Sequence, residues 1–190
     1  VFSGSFTLDA AESVAAGAAE AATPVLEAIE LLVAKSLLIA ETHDGAQTRY
    51  VLLETIKQYA VQKLAESGLT DAARARHLSC FSALAEAGAK ALDGPLALEW
   101  LDRLDAEHDN LRAALDWAAD TDPLAHARLA AALQTFWDTR GYYTEGWARL
   151  ARALALHTAR DTVRLDALLG AGVAAFRLAY TQRIDGLFNE

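Results

Sequence analysis

The chain has 190 residues, room for one or two domains, and 53% of them are hydrophobic, with alanine making up much of that fraction. Alanine favours helix and close helix packing, so a mainly α fold is expected. A formal charge of −9 and a pI near 5.0 exclude a nonspecific nucleic-acid clamp, which needs clustered Lys and Arg to displace phosphate counterions. The single cysteine, Cys80, excludes an intramolecular disulfide and a multi-cysteine metal site. No run of about eighteen apolar residues occurs, and the start has no charged region followed by an apolar one. A cytoplasmic protein with no membrane partner is expected, and a start at Val1 within VFSGSFTLD reads as a piece of something longer.

In chain order, Phe2, Phe6 and Leu8 lead to Asp9, a candidate N-cap for a short helix that Gly17 would end. Thr23-Pro24 opens a second helix, with Pro at its first position and Val25, Leu26, Ile29, Leu32 and Val33 as an apolar stripe. Leu37 to Glu41 and Arg49 to Leu53 then form two short apolar or β-branched runs around Asp44-Gly45, a hairpin signal and the one convincing β-structure in the chain. A helix follows at once through Ile56, Tyr59, Ala60, Lys63 and Leu64, until Ser67-Gly68 stops it. A hairpin flanked by helices predicts a winged-helix domain over residues 1–68. From Val1 to Glu66 nine acids oppose Lys35, Arg49, Lys57 and Lys63, leaving −5, the wrong sign for a surface that reads DNA.

From residue 71 no strand signal remains, and a helical-repeat domain is expected over residues 71–190. Leu78, Phe81, Leu84 and Ala85 stripe a helix ended by Asp93-Gly94-Pro95. Trp100, Leu101, Leu104, Leu111, Leu115 and Trp117 fall on one or two helices, and Thr121-Asp122-Pro123 introduces another through Leu129, Leu133, Phe136 and Trp137 that stops at Gly141. A partner helix runs from about Thr144 to His157. Leu133, Trp137, Gly146, Leu150 and Ala153 fit the tetratricopeptide pattern, with Gln134 in place of the usual glycine and Thr158 in place of the usual proline. Leu168 to Gly172 reads as the opening of the next repeat, and after Thr181 the pattern lapses.

Chemistry-bearing clusters are sparse. None of Lys35, Lys57, Lys63 and Lys90 follows a glycine-rich turn, so there is no phosphate loop and no ATP hydrolysis is expected of this chain. No two of His43, His77, His108, His126 and His157 have the helical spacing of metal ligands, and no glycine-flanked serine elbow occurs. Catalytic and metal residues are therefore none. Glu107-His108-Asp109-Asn110, bracketed by Leu104 and Leu111, reads as a helix junction rather than an acid–base site. Cys80 beside Phe81 reads as a buried thiol, and Trp137, Tyr142, Tyr143 and Trp147 as inter-helix core before a stacking surface.

The ordered phrases FSGSFTLDAAESVAA, VLEAIELLVAKSLL, RYVLLETIKQYAVQKLAESG, WLDRLDAEHDNLRAALDWA and FWDTRGYYTEGWARLARAL, spanning about Val1 to Leu156, resemble the AfsR-like and LuxR-like regulators among the signal-transduction ATPases with numerous domains (STAND). In that family an NB-ARC-type ATPase precedes a winged helix, and tetratricopeptide-like repeats follow it and sense a ligand or partner. The resemblance implies a non-catalytic module in which the winged helix couples an upstream ATPase domain to the repeats. ATP or ADP with Mg would be cofactors of that ATPase alone. The partners implied are the ATPase and a protein, peptide or small inducer on the repeats, with no direct DNA contact by this part. The family's Met-His-Asp motif falls on Leu52, Leu53 and Glu54, so its phosphate-contacting histidine is replaced by Leu53, which reads as core. Glu54 would mark the ATPase-facing side or simply favour the positive end of its helix. The repeat register would turn Arg128, Ala131, Thr135 and Asp138 toward a partner-binding groove. The alternative is a DNA-binding winged-helix transcription factor acting through Lys57 and Lys63.

Overall fold

The computed structural model describes residues 1–16, 23–42 and 47–188, with side chains as far as Thr181. It is mainly helical with one small antiparallel sheet, the fold class expected from the sequence. The chain divides into two compact units, Val1–Phe81 with Ala106–Ala114, and Ser82–Asp105 with Leu115–Glu190.

The first unit holds the sheet. Strands β2 (Leu38–Glu41) and β3 (Arg49–Leu52) pair antiparallel with Leu38 opposite Leu52 and Glu41 opposite Arg49, which is the predicted hairpin. Its Asp44-Gly45 turn lies outside the described residues. A third strand, β1 (Phe6–Thr7), pairs with the other edge of β3, Phe6 opposite Tyr50, in a segment the sequence suggested only as the approach to a helix. Two residues are too few to show a period-2 pattern. Helix α1 (Leu8–Ala15) follows directly. Its N-cap is Thr7, whose hydroxyl accepts from the Ala10 N–H, rather than Asp9, which sits one residue inside the helix. The proposed stop at Gly17 lies outside the described residues.

Helix α2 (Val25–Ala34) begins after Pro24, which occupies the cap rather than the first helical position. It ends in a Schellman turn: the Leu37 N–H reaches Leu32 O and the Ser36 N–H reaches Val33 O, each at 2.9 Å, with Ser36 held at φ +56°. Phe6, Ala11, Ile29 and Leu38 form the centre of this unit's core, with Leu8, Leu32, Tyr50 and Leu52 packed around it. Phe2 stacks on Phe6 at 4.3 Å. Helix α3 (Glu54–Glu66) ends at Ser67 and the left-handed Gly68, and none of its residues is fully buried.

Helices α4 (Thr70–Ala91) and α6 (His108–Thr121) each contribute residues to both units. Between them, α5 (Ala97–Ala106) is separated from α6 at Glu107, so the stretch from Trp100 to Ala119 is two helices and not one. In the second unit Asp122 caps α7 (Pro123–Ala132) by accepting from the Ala125 N–H. The single helix expected through Leu129 and Trp137 is divided, because the Leu133 N–H is shared between Leu129 O and Ala130 O before α8 (Gln134–Arg140) begins. That tightening is local, and α8 resumes with Trp137 N–H on Leu133 O. Gly141, at φ +78°, ends α8 as predicted, and α9 (Tyr143–Leu156) follows.

Gly146 lets α9 lie close against Trp137: a Cβ there would be 3.1 Å from that of Trp137. Arg149 and Arg152 of α9 pair with Asp116 and Asp120 of α6. Helix α10 (Thr162–Phe188) packs on α7, α8 and α9, and continues past Thr181, where the repeat pattern lapses. Leu104, Leu115, Ala118, His126, Leu133, Phe136 and Trp137 are the heart of this unit's core.

Candidate functional site

Arg49, on the central strand β3, spends four donor contacts on the junction between α5 and α6 and on the segment before β1. Its Nη1 donates to Glu107 Oε1 at 2.7 Å, its Nε to Ser5 Oγ at 2.7 Å, and its Nη2 to both Ser5 O and Ala106 O at 3.0 Å. Asn110, one helical turn beyond Glu107, completes the arrangement. Its amide donates to Ser5 O at 2.8 Å and to Glu107 Oε2 at 2.9 Å, and its Oδ1 accepts from the Ser3 N–H at 2.9 Å. Glu107 is 4% exposed and Asn110 1%. Such a buried carboxylate is tolerated because Arg49 and Asn110 between them donate to both of its oxygens. Gly4 lets the segment lie close: a Cβ there would meet Asp109 Cβ at 3.3 Å.

Beside this latch His77 is buried between Phe2, at 5.5 Å, and Phe81, at 4.5 Å. Burial pushes its imidazole down to about 4, and a hydrogen bond with Asn110 opposes that only in part. The Glu107–Asn110 stretch is thus a junction, as the sequence suggested, but its partners come from more than fifty residues away, which local spacing cannot show.

Helix α3 presents the residues weighed for nucleotide or DNA contact. Glu54 is its exposed first residue. Leu53 is not core: it precedes the helix and is 44% exposed, while its neighbour Leu52 faces the apolar cluster, as alternation along β3 requires. The two lysines are engaged within the chain. Lys57 Nζ donates to Ser3 O at 3.3 Å, and Lys63 pairs with Glu66 at 2.7 Å and lies over the Tyr59 ring.

In the second unit, α8, α9 and α10 enclose a cleft of about 160 Å³, with Thr135 and Asp138 on its wall together with Gln134, Trp137, Tyr143 and Val173. Of the four residues assigned to a groove, the structure brings these two to the cleft; Arg128, exposed on α7, and Ala131, half-buried, are not among its lining. Asp138 accepts a bidentate pair from Arg177, Nε at 2.7 Å and Nη2 at 3.0 Å. The aromatic cluster is split: Trp137 is core, Tyr143 lines the cleft and Trp147 is 42% exposed.

Cys80 is half-buried rather than buried. His126 is fully buried, its Nδ1 on Leu115 O at 2.9 Å, and burial lowers its pKa. His157 bonds Asp161, and His43 lies outside the described residues. Among the described residues no group of three or more His, Cys, Asp and Glu is placed to hold a metal ion, and no helix is long and apolar enough to cross a membrane.

Neither a family model nor a solved structure matches the chain. Over 146 residues, 76% of its length, it is 40% identical to proteins of Mycobacterium tuberculosis (strains H37Rv and CDC 1551) and Mycobacterium bovis that are provisionally named HTH-type transcriptional regulators. The chain matches 16% of the length of those relatives. It is also 38% identical over 78 residues to an uncharacterised protein of M. tuberculosis, 20% of which is covered.

Proposed function

We propose that the chain is part of a transcriptional regulator, in which it couples and senses without catalysing. The observation that carries this reading is the latch. Arg49 fastens the central strand of the sheet to Glu107, the residue before α6, which also accepts from Asn110 in that helix's first turn, and α6 is one continuous helix whose later turns carry the Asp116 and Asp120 pairs to α9. A displacement of the wing would be passed to α6 as a rigid element, because a packed helix moves as a body more readily than it bends. In the intact regulator the input comes from an ATPase domain of the NB-ARC kind, which would hold ATP or ADP with Mg and face the exposed Glu54 end of α3. The second unit, in a tetratricopeptide-like arrangement, takes the partner or inducer. The names of the mycobacterial relatives support the regulator class.

A second reading, a winged helix that binds DNA directly, is favoured by the helix-turn-helix designation of those relatives. Against it stand the acidic balance of residues 1–66 and the engagement of both Lys57 and Lys63 within the chain. Fluorescence anisotropy of the 190-residue chain with a labelled random duplex at low salt separates the two. The coupling reading expects no salt-dependent binding. Binding that weakens as salt rises and disappears in the Lys57→Glu/Lys63→Glu variant would install the DNA-binding reading in its place.

A further inference from the structure

The cleft between α8, α9 and α10 has the size, polarity and rigidity of a ligand site. Its volume of about 160 Å³ is in the range that admits a single six-membered ring. Its walls are mostly apolar: the Trp137 indole, Tyr143, Leu150, Val173 and Ala174. The charge at its rim is already neutralised, since both Asp138 oxygens are taken by Arg177. A charged ligand would therefore leave water for a site without an opposite charge free to receive it, at a cost that an uncharged one avoids.

A further observation gives the cleft polar recognition. Gln134 is held against α10 by the absence of a side chain at Gly170, where a Cβ would fall 2.5 Å from Gln134 Oε1. Its amide therefore lines the cleft with both a donor and an acceptor.

We propose that this cleft binds a small uncharged aromatic molecule of one ring that carries a hydrogen-bond acceptor, a phenol being the simplest member of the class. The ring lies against Trp137 and Tyr143, and its oxygen takes the polar end formed by Gln134 and Thr135. This deepens the sensor role proposed for the second unit and rests on it, yet the two fail separately: duplex binding in the anisotropy assay removes the sensor role, whereas the titration below decides the ligand class.

The probe is phenol, titrated into the 190-residue chain with intrinsic tryptophan fluorescence and thermal unfolding as readouts. A saturable fluorescence change with a Kd of about 1 mM is expected, with a rise in Tm over the same range. Benzoate, the same ring with a negative charge, should bind at least about tenfold more weakly. Val173→Trp fills the cleft from an exposed position on α10 and should abolish the phenol response. Should that variant not fold by circular dichroism, Thr135→Phe fills it from exposed α8. No saturable response to phenol, equal affinity for benzoate, or an undiminished response in a folded cleft-filling variant would overturn the proposal.

Discussion

The Arg49 guanidinium donates to Glu107 at 2.7 Å across 58 residues of sequence, and that contact joins the middle strand of the sheet to the residue just before α6. The Arg49 side chain is 21% exposed and that of Glu107 5%, so water can do little for the carboxylate when its partner is lost and only part of the work for the guanidinium. Glu107→Leu should cost about 3 kcal/mol by leaving the guanidinium without its carboxylate. The double variant Arg49→Met/Glu107→Leu should lose markedly less than the sum of the single variants. Urea unfolding of the four proteins measures this cycle, and simple additivity would mean that the pair is not coupled.

Stability should fall as pH drops below neutrality, and His77 supplies a large part of the effect. Its folded pKa is about 4, below the 6.5 of the free side chain. Above pH 6.5 both states hold the neutral ring and it contributes nothing. Between 6.5 and 4 the unfolded chain takes up a proton that the folded chain refuses. Unfolding free energy should therefore drop by about 2 kcal/mol from pH 7 to pH 5, and level off as far as His77 is concerned below about pH 4. His126, lowered by the same cause, adds in the same direction. In His77→Phe the difference between urea midpoints at pH 7 and pH 5 should shrink.

Ser36 stands in the left-handed position of a Schellman turn that usually belongs to glycine. Ser36→Gly should raise stability by about 1 kcal/mol, since the strain of the Cβ at φ +56° exceeds the added freedom of the unfolded chain. Thermal unfolding checks it, and an unchanged or lower Tm would show that the turn is not strained.

Gly170→Ala should be destabilising by about 1–3 kcal/mol, because the new Cβ would lie 2.9 Å from Gln134 Cβ, an atom close to the α8 backbone that cannot simply swing away. Adding Gln134→Gly should restore part of the loss. Failure of that rescue in denaturant unfolding would show that the two helices repel through some other contact.

What the sequence disclosed follows the reach of each signal. The hairpin was legible because Leu37–Glu41 and Arg49–Leu53 flank a turn dipeptide, and the helices because their apolar residues recur over several turns and stop at Gly68, Gly94 and Gly141. Strand β1 was not, since two residues carry no period and Phe6 is defined as strand only by Tyr50 across the sheet. Leu53 was misplaced for a related reason: hydrophobicity alone does not say on which side of a strand end a leucine falls. The polar phrase from Glu107 to Asn110 was recognisable as a junction, but Arg49 and Ser5 as its partners depend on tertiary folding that no local pattern encodes. The cleft is harder still to foresee, because it depends on glycines at 146 and 170 setting how closely α9 and α10 approach α8.

That the sheet and α6 form one cooperative structure through Arg49 is tested most directly by amide hydrogen exchange on the 190-residue chain, native against Arg49→Met. Protection should fall together in β3, at Tyr50 to Leu52, and along α6 from His108 to Thr121. Loss of protection confined to β3, with α6 exchanging as in the native chain, would contradict the coupling.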